Sequence, residues 1–305
     1  MAGKARGALN DGFEYREQLG PRAAGLTLIA YLVGRYRHST EDEWRDRIRQ
    51  GQVLLQGRTT EAQRRLAPGQ SLVWQRPPWR EPPVPLGFAL LHEDPDLLAV
   101  AKPRGLPTLP GGGFLAHTLL AAVRSRYPEA SPAHRLGRGT SGLVLLTRSA
   151  EVRAAVTAAW HAGGVRRTYR ALASGEPARN EFSVESPIGP VPHTLLGTVH
   201  GASAHGRPAA SVFRVLERRG ECALVEAEIA TGRPHQIRIH LAAAGHPLVG
   251  DPLFGLGGRP LPGTRSLPGD LGYALHAHRL ALSHPRTGAP LELECGPPRE
   301  LRLQG

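Results

Sequence analysis

Residues 77–85 read PPWREPPVP, with five prolines in nine positions. Each proline fixes φ and removes a backbone donor, so neither a helix nor a central strand can pass through. The stretch predicts a stiff linker over 77–87 and forces the chain on its two sides to fold separately. Four segments follow: a flexible N-terminus at 1–24, a small unit at 25–76, the linker, and a large domain at 88–305.

The small unit has a legible pattern. LTLIAYLVGRYR places Leu26, Ile29, Leu32 and Val33 on one helical stripe. Ser39-Thr40 then caps an acidic first turn for a second helix, EDEWRDRIRQG, which Gly51 closes. QVLLQGR and QSLVWQR read as short strands.

Beyond the linker, strands outnumber helices. ALLHE, DLLAVAK, GLVLLTR, RTYRALA, ASVFRVLE, CALVEAEIA, HAHRLALSH and LELEC are strand candidates. Helices are expected over AHTLLAAVRSRY, AEVRAAVTAAWHA and PHQIRIHLAAAG, the last with Pro234 in its first turn. Clustered strands with few interspersed helices predict an α+β fold with a mixed, mostly antiparallel sheet and flanking helices.

Charge narrows the partner. Lys and Arg total 38 against 26 Asp and Glu, a net +12, and the only lysines are Lys4 and Lys102. Arginine's planar fork matches phosphate and stacks on bases, so a polyanion, most simply nucleic acid, is the expected partner. Cys222 and Cys295 have no metal-ligand spacing and make no disulfide framework, which fits a reduced, cytoplasmic setting. No run reaches the ~18–20 apolar residues of a membrane span. The 14 histidines are scattered without a zinc motif, so no metal is expected.

Three stretches can carry chemistry. HRLGRGTSG (134–142) lacks the lysine of a phosphate loop and the frame of a nucleophile elbow. It leaves a basic loop whose backbone donors and hydroxyls suit phosphate or ribose. On the strand VRRTYRALASG, Arg167, Tyr169 and Ala171 share one face, and Arg166, Thr168 and Arg170 the other. A tyrosine flanked by arginines suits a base and its backbone. In TGRPHQIRIHLAAAGHPLVGDPLFG, a helix starting near Pro234 sets Arg238 one turn beyond His235 with Ile237 beside it, and its approach makes an anion site. His235 and His240 are read as hydrogen-bonding or core residues.

Taken in order with LLHEDPDLLAVAKPRGLPTLPG and LHAHRLALSHPRTGAPLELE, these blocks resemble the RluA-type pseudouridine synthase family. The 25–76 segment is similar, more weakly, to a small RNA-binding module found in a ribosomal small-subunit protein. The resemblance implies an RNA cleft across the sheet and cofactor-free isomerisation of uridine to pseudouridine in structured RNA, rRNA or tRNA. It implies Tyr169 against the target base, Ile237 packing near it, and Arg238 paired with a catalytic carboxylate. His134, Arg135, Leu136, Thr140, Ser141 and Gly142 match the first motif. Arg138, Arg166, Arg167, Arg233, His235 and Gln236 complete the expected RNA- and base-binding set.

One position departs. The family has aspartate directly after His-Arg-Leu, whereas this chain has Gly137, and a second acidic position is Gly139. Glycine supplies neither nucleophile nor base. Arg238 is then expected to lack the loop's carboxylate, Glu151 and Glu228 are the candidate substitutes, and Asp251 is expected to be structural. Two readings follow: an RNA pseudouridine synthase with an unusual catalytic group, or a lapsed RNA-binding relative such as a chaperone or assembly factor. The retained base-handling residues weigh toward the enzyme. A monomer with RNA as partner, without membrane or protein partner, is expected.

Overall fold

The computed structural model describes residues 9–36 and 38–304. Its chain divides into two compact units, one ending at Pro82 and the next beginning at Pro83, inside the proline-dense stretch. No helix or strand forms over 77–88.

The small unit holds strand β1 (Phe13–Gln18), helices α1 (Leu28–Arg35) and α2 (Glu41–Arg49), and strands β2 (Val53–Leu55), β3 (Arg58–Thr59) and β4 (Ser71–Arg76). Thr27 caps α1, and Thr40 with Glu43 forms a full capping box on α2. The sheet order is β1-β4-β2-β3. Leu28, Leu32, Trp44, Ile48, Val53 and Leu72 fill the core between helices and sheet.

The expected flexible N-terminus needs correcting. Residues 1–8 lie outside the described residues, but Phe13–Gln18 is an antiparallel partner of β4. Tyr15 stands opposite Trp74 and stacks on it, with ring centroids 5.1 Å apart. Glu17 accepts hydrogen bonds from the Tyr31 and Tyr36 hydroxyls. This anchoring comes from residues distant in sequence, so local polarity concealed it.

The large unit is built on β5 (Ala89–Glu93), β6 (Leu97–Lys102), α3 (Leu119–Arg124), β7 (Ser131–Pro132), β8 (Ser141–Thr147), α4 (Ala150–His161), β9 (Arg166–Ser174) and β10 (Glu181–Val184). It continues through β11 (Ile188–His193), β12 (Gly197–Ala202), β13 (Ser211–Arg218), β14 (Cys222–Ile229), α5 (Gln236–Ala243), β15 (Phe254–Gly255), β16 (Arg259–Pro260), β17 (Leu275–Ser283) and β18 (Pro290–Glu294). The main sheet has ten strands along β10-β13-β14-β9-β17-β8-β6-β5, with β18 on β17 and β7 on β8. Among the described residues only β17 and β8 pair in parallel, which makes the sheet mixed and mostly antiparallel, as the sequence predicts.

That parallel junction positions the site. Gly142 at the start of β8 pairs with Ala277 of β17, and a β-carbon there would meet the Ala277 carbonyl oxygen at 2.2 Å. Gly142 also has φ +111°, so only glycine lets the two strands approach. The 134–140 loop before β8 is thereby held beside the 268–275 segment leading into β17.

Candidate active site

The HRLGRGTSG loop is fixed from below by hydrogen bonds. The buried Thr108 hydroxyl donates to the Leu136 carbonyl at 2.9 Å and accepts from the Leu136 amide at 3.2 Å. The Thr140 amide donates to the Gly137 carbonyl, closing a tight turn at 3.0 Å. Arg138 donates from Nε to the Gly269 carbonyl at 2.9 Å and lies over the Phe114 ring. The loop is thus a rigid rim, with Gly137 exposed and Gly139 buried.

On β9 the burial alternates as the pattern predicts, with Arg167, Tyr169 and Ala171 buried. Tyr169 is 8% exposed, and burial raises its pKa, keeping the phenol protonated as a hydrogen-bond donor. Arg167 turns back into the fold, where it donates to the Ile229 carbonyl and stacks on Trp160.

The helix α5 begins at Gln236, later than the sequence suggests. His235 before it has the left-handed backbone φ 58°, which leaves Pro234 outside the helix. The Gln236 side chain organises that approach. Its Oε1 accepts from the Arg233 amide and the Thr231 hydroxyl, and its Nε2 donates to the Ala210 carbonyl and to Ser211. His240 is fully buried between Ser211 and the Ser186 carbonyl, as a core histidine.

Arg238 lacks a carboxylate from the loop and takes another one instead. It is 1% exposed and forms a bidentate pair with Asp251, Nε to Oδ2 and Nη2 to Oδ1, both at 2.7 Å. Its Nη1 donates to the Pro268 carbonyl at 2.8 Å. Its guanidinium lies between two rings, 4.1 Å from the Tyr273 centroid and 4.9 Å from that of Phe254. Arg238 therefore has a carboxylate partner. Asp251 also accepts from the Leu253 and Phe254 amides, so the pair ties α5 to the 251–254 turn.

Loop, strand and helix converge on a cavity of about 480 Å³, within the range of ligand sites. From the expected set it gathers Arg135, Gly137, Arg138, Thr140, Tyr169, Arg233, His235, Gln236, Ile237 and Arg238. Residues 107–112 form one wall; Ile229, Pro268, Gly269, Tyr273 and Leu275 complete it. Among the described residues, no aspartate or glutamate lines this cavity. Burial, helped by Arg238, His200 and Arg135, lowers the His235 pKa to about 3, so it stays neutral. The field inside is that of arginines, with Arg238 neutralised by Asp251 and Arg138 3.9 Å from Asp270.

Four residues expected to touch RNA or base lie elsewhere. His134 packs on Trp160 and accepts the Leu145 amide through Nε2 at 3.0 Å. Ser141 is 2.9 Å from His276 Nδ1. Arg166 sits on the opposite sheet face, beside Glu228, and Arg167 is spent on backbone carbonyls. For Arg166 and Glu228 strand alternation is the reason: they stand on the face opposite to the one that carries Tyr169 inward. Glu228 borders a separate surface groove, and Glu151 is exposed in the first turn of α4, so neither stands in for the missing acid. Sequence reading missed Tyr273, which lies in no motif and reaches the cavity only through the β8–β17 junction.

The site is thus a positively lined cavity across a mixed sheet, with a buried tyrosine in its wall. Residues 96–243 match the sequence profile described as RNA pseudouridylate synthase. Over 276 residues, covering 90% of this chain and 95% of the relative, the chain is 44% identical to an RNA pseudouridine synthase of Synechocystis sp.. It is 36% identical over 331 residues to RNA pseudouridine synthase 5 of Arabidopsis thaliana, covering 90% and 89%. Human RNA Pseudouridylate Synthase Domain Containing 4 shares the fold with TM-score 0.55 and 25% identity, over 70% of this chain and 90% of that one. The chain belongs to the RNA pseudouridine synthase family, of the RluA type.

Proposed function

We propose that this protein isomerises uridine to pseudouridine in structured RNA, either rRNA or tRNA. The supporting observation is the convergence of Tyr169, Ile237 and four arginines on one cavity. The reaction breaks the bond between uracil N1 and ribose C1′, turns the base, and joins C1′ to C5. The electron pair of the first bond leaves on uracil, a uracil pair makes the second, and the C5 proton ends on N1. Nothing is gained or lost, so the balance requires no cofactor.

Each wall has a part in this reading. Tyr169 and Ile237 hold the unstacked uracil, with the protonated phenol donating to it. Extraction from a stack costs a few kcal/mol, which aromatic and arginine contacts offset. Arg135, Arg138 and Arg233 hold the phosphates on either side, and the Arg238–Asp251 pair keeps α5 in place beneath the base. The small unit adds affinity for RNA. We place the protein in the cytoplasm, as a monomer that needs no protein partner.

Incubation of the purified protein with unmodified rRNA and tRNA, followed by nucleoside mass spectrometry, tests the reading. New pseudouridine, abolished by Tyr169→Phe, is the expected result. Its absence from every pool leaves an RNA-binding relative, a reading that rests on Gly137 and the net charge of +12.

A further inference from the structure

Among the described residues no carboxylate lines the cavity, yet the space beside the two loop glycines is not empty. A β-carbon on Gly139 would come within 2.8 Å of both Cζ and the hydroxyl oxygen of Tyr273. A β-carbon on Gly137 would stand 3.6 Å from the same hydroxyl and 3.8 Å from Thr140 Oγ1. The Tyr273 hydroxyl therefore occupies the ground of a side chain at 139 and stands in van der Waals contact with the place of one at 137. Gly139 is obligatory while Tyr273 is there, because real β-carbons essentially never approach that closely.

Tyr273 is well placed to do more than fill volume. It is 1% exposed, and its ring is packed under the Arg238 guanidinium, which Asp251 fixes. It lines the cavity together with Gly137, Thr140 and Tyr169. A phenol so held has one orientation, and orientation is most of what a catalytic group needs. Of the other polar side chains of the wall, the four arginines are cationic, Thr108 and Gln236 are committed to neighbours, Thr140 belongs to the rim, Tyr169 is assigned to the base, and His235 is a neutral imidazole.

We infer that the Tyr273 hydroxyl is the side-chain oxygen that meets the target ribose, in the place where this loop carries no acid. The inference rests on the proposed isomerisation. A phenol oxygen presents a lone pair to C1′ as the C1′–N1 electron pair leaves on uracil. Its proton hydrogen-bonds to the ribose 2′-hydroxyl. No bond to tyrosine forms, since the pair that rejoins C1′ comes from uracil. Tyr169 and Tyr273 divide the substrate between them, the first taking the base and the second the sugar.

Tyr273→Phe tests this, because phenylalanine keeps the ring beneath Arg238 and removes only the oxygen. Pseudouridine formation is measured at saturating RNA for the natural protein, Tyr273→Phe, and Tyr273→Phe combined with Gly137→Asp. RNA affinity and urea midpoint are followed in parallel. The expected result is a fall in kcat of about 100-fold or more, the range for removal of one preorganised group that stabilises developing charge, at unchanged affinity. The Gly137→Asp change then recovers turnover, which a merely structural loss would not allow. A Tyr273→Phe protein with natural kcat overturns the inference and leaves the proposed function standing. A natural protein that forms no pseudouridine overturns the proposed function, and the inference with it.

Discussion

Arg238 and Asp251 form a bidentate ion pair with both nitrogen–oxygen distances at 2.7 Å and side chains 2% and 1% exposed. Geometry of this quality offsets the desolvation of both ions, but removal of either partner leaves a buried charge. Asp251→Ala is expected to cost about 3–5 kcal/mol, read from urea unfolding. The cavity loses its floor at the same time, so RNA modification falls with stability. Asp251→Asn is milder, because the amide oxygen still accepts one guanidinium bond.

The two loop glycines respond in opposite ways to the same methyl group. Gly139→Ala forces its β-carbon against the Tyr273 ring, an overpacking expected to cost about 1–3 kcal/mol. Gly137→Ala makes ordinary contacts at 3.6 and 3.8 Å, and its stability stays near that of the natural protein. Thermal unfolding of both variants checks the contrast.

Stability falls on mild acidification through two histidines. Burial, with Arg167 nearby, lowers His134 to about 4, and His235 is lowered to about 3. Both are neutral in the fold and protonate near 6.5 when unfolded. Their contribution is complete above pH 6.5 and is lost as pH falls toward 4, because the unfolded chain then binds more protons. Protonation of His134 also removes the acceptor of the Leu145 amide. Each histidine adds a slope of about 1.4 kcal/mol per pH unit in that window. Urea midpoints of His134→Gln between pH 7 and pH 4.5 should show a shallower decline than those of the natural protein.

RNA affinity should fall steeply with salt, since phosphate binding releases counterions. Arg135→Ala and Arg233→Ala each remove a cavity cation and are expected to lower the slope of log K against log salt by about one. Arg166→Ala, on the opposite face, leaves the contribution of the cavity unchanged. Filter binding over a salt series distinguishes the three.

Much of this protein is legible in its sequence. The proline run marks the division into two units, period-2 and period-3.6 patterns mark most strands and helices, and the ordered motifs identify the family. These are local signals, set by φ restriction, capping and alternation. The strand Phe13–Gln18 escaped because its anchors, Trp74, Tyr31 and Tyr36, lie elsewhere in the chain. His134, Ser141, Arg166 and Arg167 look like ligand residues in one dimension, yet the Leu145 amide, His276, the opposite strand face and a backbone carbonyl claim them in turn.

The partner of Arg238 and the occupant of the space beside Gly137 were settled only in three dimensions. Sequence shows that an acid is missing from the loop, a statement about one position. The parallel pairing of β8 with β17, possible because Gly142 has no side chain, brings residues 137 and 273 together across 136 positions of chain. Local propensity has no access to such a contact, because the sheet makes it and neither segment does so alone.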